Sequence, residues 1–89
     1  MATEADERDI LALRLREALT EARNAAGLTQ GELGKKLGRT QTFVSNYERG
    51  ERKVGVVELI LITKALGADA PELIVALLAH PTKSLGAQD

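Results

Sequence analysis

The sequence predicts an all-α fold, a compact bundle of five helices with an extended N-terminal helix. Three observations indicate it: 89 residues suit one domain, apolar residues recur at helical spacing, and glycines follow the apolar segments. Alternating runs of β-branched and aromatic residues, which would indicate strands, are nearly absent. We assign residues 1–81 to a single domain and residues 82–89 to a flexible C-terminal tail.

The first helix is predicted to begin at Thr3, which precedes Asp6 in a spacing like that of a capping box, and to run to about Ala26. Gly27 would end it, because glycine commonly follows a helix. Its apolar stripe consists of Leu11, Leu15, Ala18, Leu19 and Ala22.

The second helix is predicted to begin at Thr29, which forms a capping box with Glu32, and to be broken by Gly38. Its inward-facing residues are Leu33 and Leu37. Gly31 and Gly34 lie within this helix, where each costs about 1 kcal/mol relative to alanine. That cost suggests that another backbone passes close to one of these two glycines.

The third helix is predicted to follow Thr40, a favourable N-cap residue, and to end at Gly50. At 100° per residue, its polar side chains fall within an arc of about 140°. They are Gln41, Thr42, Ser45, Asn46 and Arg49, and the opposite side carries Phe43, Val44 and Tyr47. The open face therefore consists mostly of uncharged amide and hydroxyl groups.

A basic loop at residues 51–55 precedes the fourth helix, which is predicted at about Val56–Leu66 and is followed by a glycine. The fifth helix is predicted to start near Ala70–Pro71, because proline is favoured in a first helical turn. It would end near His80–Pro81, where the imidazole would interact with the helix dipole.

The composition excludes several classes of site. The sequence contains no Cys, which excludes disulfides and thiolate metal ligands, and it contains one His. It shows no phosphate-cradling loop and no nucleophile with an evident base, so we expect no catalysis, no metal and no cofactor. No apolar run approaches the roughly 20 residues of a membrane span, and the acidic N-terminus is unlike a signal peptide. We expect a cytoplasmic protein.

The net charge of −1 is unevenly distributed. Residues 1–26 contain four Arg against six acidic residues, residues 27–55 contain six Lys or Arg against three Glu, and residues 56–89 contain two Lys against four acidic residues. The positive charge therefore gathers on the second and third helices and the loop after them. This pattern is typical of a phosphate-binding surface, and the alternative is a solvated surface of mixed charge.

Two short helices joined by a glycine turn, the second with a polar open face, are typical of a helix-turn-helix. In this arrangement the second helix enters the DNA major groove and contacts base edges. Gln and Asn amides match the donor and acceptor of adenine, and Ser and Thr hydroxyls serve either role. The third helix is therefore predicted to read base sequence in double-stranded DNA.

The stretch LTQGELGKKLGRTQTFVSNYERGER, residues 28–52, resembles the lambda-repressor-like helix-turn-helix family. This family is also called the xenobiotic-response-element family of bacterial and phage regulators. Its pattern is Thr or Ser with Gln, a small residue, Glu-Leu, a glycine turn, a second Thr or Ser with Gln, and a helix ending near Glu-Arg-Gly. The resemblance extends over about residues 15–78.

The resemblance implies a role for each of the matching polar residues. Base-reading residues would be Gln41, Thr42, Ser45 and Asn46, the last two with phosphate contacts as an alternative. Phosphate-binding residues would be Gln30, Arg49, Arg52 and Lys53. Arg23 and Glu48 match a structural ion pair that joins the first helix to the third.

Several positions leave alternatives open. Gly34 replaces the alanine usual in the family, which keeps close packing but loosens the helix. Arg39 replaces an aliphatic residue, and it either costs core packing or adds a phosphate contact. Phe43 either packs at the helix edge or contacts a thymine methyl group. Tyr47 is expected in the core with its hydroxyl at the rim.

The C-terminal helices carry more apolar residues than one small domain can bury. Residues 73–79, LIVALLA, are apolar on all sides. A second copy of the chain would cover this excess, which predicts a homodimer with Leu73, Ile74, Leu77 and Leu78 at the interface. The alternative cover is the N-terminal extension of the same chain, which carries Ile10, Leu11 and Leu13.

These features predict a small transcriptional regulator, a repressor or control protein, that reads a palindromic operator through its third helix. The alternative is an antitoxin-like interaction module, because the family also supplies proteins in which this fold binds a partner protein as well as DNA.

Overall fold

Five α-helices make up the regular structure of the computed structural model, which describes residues 6–86. They are α1 (Glu7–Ala25), α2 (Gln30–Lys36), α3 (Gln41–Glu48), α4 (Val56–Leu66) and α5 (Ala70–Gly86). No strand occurs within these residues, and the predicted all-α class is confirmed.

The first helix begins later than predicted. Its N-cap is Asp6, whose side chain accepts a hydrogen bond of 2.9 Å from the backbone N–H of Asp9. The predicted start at Thr3 is therefore wrong, because Asp6 itself takes the capping role. Thr3 lies outside the described residues. At the other end Gly27 has a φ of +76°, which suits the predicted glycine stop.

Local side-chain bonds define the starts of α2 and α3. Thr29 and Glu32 form the predicted capping box, with donor–acceptor distances of 2.9 and 3.0 Å. The Thr40 hydroxyl accepts a bond of 3.2 Å from the N–H of Phe43 and caps α3. These bonds satisfy backbone donors that the first turn of a helix leaves unpaired.

The turn between α2 and α3 requires a glycine at position 34. A Cβ on Gly34 would lie 2.7 Å from the carbonyl oxygen of Thr40, whereas a Cβ on Gly31 would meet nothing closer than 3.9 Å. The close backbone approach predicted for one of the two glycines therefore occurs at Gly34.

The core lies where α1, α2, α3 and α4 meet. Its buried apolar residues are Leu19, Leu33, Phe43, Val44, Tyr47, Leu59 and Ile62. The rings of Phe43 and Tyr47 meet edge to face with centroids 5.6 Å apart, which places Phe43 in the packing alternative. The Tyr47 hydroxyl is buried and has no hydrogen-bond partner among the described residues, so its predicted position at the rim is wrong.

The last two helices pack on each other, and α5 also packs along α1. Asp69 accepts a bond of 3.0 Å from the N–H of Glu72 at the start of α5. The predicted end of this helix near His80–Pro81 is wrong, because α5 extends to Gly86. Pro81 has no backbone N–H and so cannot donate the usual hydrogen bond within the helix, yet the helix continues beyond it. Residues 82–86 of the predicted tail are thus helical, whereas residues 87–89 and the His80 side chain are outside the description.

Candidate nucleic-acid interface

The open face of α3 carries the predicted base-reading residues. Val44 and Tyr47 are fully buried, which turns the opposite side of α3 toward the surface. Gln41 and Thr42 are exposed at the start of the helix. Ser45 and Asn46, one turn later, are half-buried. The helix thus presents amide and hydroxyl groups together on one face, as a 100° spacing requires.

A buried ion pair holds α3 against α1. The Nε and Nη2 atoms of Arg23 lie 2.8 and 3.0 Å from the two carboxylate oxygens of Glu48, the partner that the resemblance implies. Arg23 Nη1 also donates to the carbonyl of Leu28 at 2.8 Å. The two paired side chains are only 11% and 7% exposed. Their hydrogen bond raises the pKa of Arg23.

Gln30 extends this pair to the start of α3. Its Nε2 donates to Glu48 Oε1 at 2.9 Å. Its Oε1 accepts from Gln41 Nε2 at 3.5 Å, the outer limit of a hydrogen bond. A continuous chain of contacts therefore orients the first predicted base reader. One amide hydrogen of Gln30 stays available for the predicted phosphate contact. The link from Gln30 to Glu48 was not predicted.

The guanidinium of Arg49 is surrounded by neighbouring side chains. Its Nη2 donates to Asn46 Oδ1 at 2.8 Å and to Glu51 Oε1 at 3.1 Å. Its Nη1 contacts Ser45 Oγ, and its Nε lies 3.3 Å from Glu51 Oε2. Hydrogen bonding between Arg49 and Glu51 raises the pKa of the arginine and lowers the pKa of the carboxyl. A phosphate at Arg49 would have to compete with these partners.

Two arginines stack on Phe43. The guanidinium carbons of Arg39 and Arg52 lie 4.1 and 4.9 Å from the ring centroid, within cation–π range. Arg39 therefore covers a core aromatic ring from outside, which accounts for a charged residue at this turn position. Arg52 also pairs with Glu58. The pKa of Glu58 is lowered mainly by a hydrogen bond from the N–H of Gly55 and further by Arg52.

Lys53 completes the predicted set in the loop between α3 and α4. It is exposed and forms no ion pair with any side chain of residues 6–79. The same side chains include no cluster of acidic or His groups suited to a metal ion. None of the helices within residues 6–86 is both long enough and apolar enough to cross a membrane.

Comparison with known proteins assigns the family. A family profile described as helix-turn-helix matches residues 19–73, more than half of the chain. The chain belongs to this helix-turn-helix family. The helix-turn-helix protein is also similar to control protein C.SmaI from Serratia marcescens, with 34% identity over 70 residues that span 74% of this chain and 83% of that protein.

Solved structures agree with this assignment. An XRE-family like protein from Pseudomonas syringae pv. tomato shares 39% identity at a TM-score of 0.80, over 83% of this chain and 90% of that chain. The restriction-modification controller protein C.AhdI from Aeromonas hydrophila shares 32% identity at a TM-score of 0.64, over 70% and 94% of the two chains. The predicted family is confirmed, and it is a family of DNA-binding transcription regulators.

Proposed function

We propose that this helix-turn-helix protein represses transcription as a homodimer, with α3 of each copy in the major groove of a palindromic operator. The observation that carries the proposal is the open face of α3, which presents uncharged hydrogen-bonding groups, the first of which, Gln41, is connected through Gln30 to the Arg23–Glu48 pair. Amides and hydroxyls discriminate between base edges, whereas contacts to phosphate carry no sequence information. Bound at a promoter, such a dimer would block access of the polymerase.

The proposal divides the interface into two kinds of contact. Gln41, held by Gln30, would read a base at the start of α3. Lys53, exposed and outside any ion pair of the described residues, would contact a phosphate. Two similar proteins are named as control or controller proteins, which supports a regulatory role.

Substitution separates the two kinds of contact. Gln41→Ala should cost about 1–3 kcal/mol at one base pair of each half-site and relax the preference there. Lys53→Ala should weaken binding to all sequences alike and reduce the salt slope by about one unit per half-site. Binding is measured as a function of salt on matched operators. If Gln41→Ala leaves the base preference unchanged, the assignment of base reading to this residue is wrong.

The homodimer is proposed from the apolar surface that the fold leaves uncovered. On α4, Val56 and Val57 are 73% and 69% exposed, and on α5, Leu78 and Ile74 are 59% and 42% exposed. Such surfaces are usually covered in soluble proteins, and a second copy would cover both stripes symmetrically.

The four predicted interface residues do not share one environment. Leu73 packs against the core of its own chain, and Leu77 is half-buried. We therefore place Ile74 and Leu78, and not Leu73, in the proposed interface. In the structure α5 packs along α1 of the same chain, and Ile74 and Leu78 remain exposed.

A further inference from the structure

A cleft separates the N-terminal half of α1 from the loop that joins α3 to α4. Its volume is about 610 Å³. Its charged lining residues are Arg8, Asp9, Arg16, Arg52 and Lys53, and its apolar lining includes Leu13, Leu15 and Val54. Four cationic side chains and one carboxylate thus line the cleft together with apolar side chains. This cleft lies outside the face of α3 that would read bases.

Arg16 is a cation of the cleft that packs closely against the backbone. Its guanidinium packs over Gly50, where an added Cβ would lie 2.7 Å from Arg16 Cζ. Gly50 also has a φ of +82°, so glycine suits this position for two reasons. The Nε atom of Arg16 is buried and has no hydrogen-bond partner within the described residues. No carboxylate of these residues forms an ion pair with Arg16.

Burying a charged group without a partner is costly, so the unpaired charge of Arg16 favours an anion in the cleft, although its buried Nε atom is not itself within reach. Arg52 shares its charge with Glu58, whereas Arg8 and Lys53 form no ion pair with any side chain of residues 6–79. The cationic side chains of the cleft therefore outnumber its one carboxylate, Asp9.

We propose that this cleft binds the DNA phosphate backbone beside the bases read by α3. The inference rests on the proposed DNA-binding function and adds the N-terminal half of α1 to the interface. Arg52 and Lys53 belong both to the cleft and to the predicted phosphate-binding loop, so the two surfaces are continuous. Apolar walls beside the cations suit the sugar carbons that alternate with phosphates along a strand.

The test compares arginines on the same helix. Arg16→Gln and Arg8→Gln each lose one cation of the cleft, whereas Arg14→Gln changes an α1 arginine that does not line it. On operator DNA with long flanks, each cleft variant should bind about 3- to 10-fold more weakly and show a salt slope shallower by about one unit per half-site. The selected base motif should stay unchanged, and Arg14→Gln should bind as wild type does.

Two further measurements, one with operator DNA that has shorter flanks and one with inorganic phosphate, show whether the cleft binds the DNA backbone or free phosphate. On DNA trimmed to the base-reading half-sites, the differences between the cleft variants and wild type should disappear. Binding of inorganic phosphate is measured by NMR titration of the DNA-free protein. Cleft variants that bind long-flank DNA like wild type would overturn the proposal, whether or not phosphate binds, while the base-reading function would still stand. Because Arg16 is partly buried, Arg8→Gln, which changes an exposed side chain, provides the test without a folding effect.

Discussion

Tyr47 carries a hydroxyl into the core, and no described group offers this hydroxyl a hydrogen bond. Burial, and to a lesser extent the nearby Glu48, raise the pKa of Tyr47 to about 12. The pKa of an unfolded tyrosine is about 10. The pKa of Tyr47 is therefore higher in the folded protein than in the unfolded chain. The stability that the protonated phenol contributes is fully present below about pH 10 and is lost as the pH rises toward 12.

We expect Tyr47→Phe to keep the fold and to raise stability at pH 7 by up to about 1 kcal/mol, because it removes an unsatisfied buried group. Between pH 10 and pH 12, wild type should lose about 2–3 kcal/mol relative to the variant. Urea unfolding of both proteins at pH 7, 10 and 12 measures this difference. Parallel losses in the two proteins would contradict a buried, titrating phenol.

The Arg23–Glu48 pair should contribute far more to stability than the exposed pair of Arg49 and Glu51. Glu48→Ala leaves a largely buried guanidinium unpaired, and we expect a cost of about 3–5 kcal/mol. Glu51→Ala removes a carboxylate whose side chain is 61% exposed, and it should change stability by less than about 0.5 kcal/mol. Thermal unfolding of the two variants provides the comparison. Equal melting temperatures would show that the buried pair does not fix α1 to α3.

At the scale of the elements, we expect the two glycines of α2 to respond in opposite ways to substitution by alanine. Gly31→Ala makes only an ordinary van der Waals contact of 3.9 Å with the Thr29 hydroxyl, and it should stabilise the helix by about 1 kcal/mol through propensity. Gly34→Ala places a methyl group against the Thr40 backbone, so the turn must shift. This overlap should cost about 1–3 kcal/mol of stability, and the better helix propensity of alanine offsets part of that cost. Chemical denaturation measures both, and changes of the same sign would contradict the close approach at Gly34.

The starts of α2 and α3 could be predicted from sequence because their bonds join residues three positions apart. The Arg23–Glu48 pair between α1 and α3 was implied by the family resemblance. Most other contacts between elements could not be predicted, since they depend on tertiary packing. The stacking of Arg39 on Phe43 and the bond from Gln30 to Glu48 are of this kind. Helical spacing likewise does not show which side of an apolar helix meets its own core, so the packing of Leu73 against the core could not be predicted from the sequence.

At the scale of the whole molecule, the exposed stripes of α4 and α5 predict a dimer. Analytical ultracentrifugation at micromolar concentration should show a species of about twice the 9.6 kDa chain mass. Leu78→Glu should convert it to a monomer with weaker operator binding, whereas Leu78→Met should remain dimeric. A single species at the chain mass for wild type would contradict the homodimer. A stable complex with a different protein on this surface would instead favour the interaction-module alternative.

From the face of α3, the buried pair behind it and the proposed dimer, we expect the protein to recognise a symmetric base sequence. Selection of bound DNA from a random pool at about 0.15 M salt tests this claim most directly. The account predicts enrichment of a two-fold symmetric motif whose half-sites are centred about 10 base pairs apart. Binding that enriches no sequence over the starting pool would contradict it.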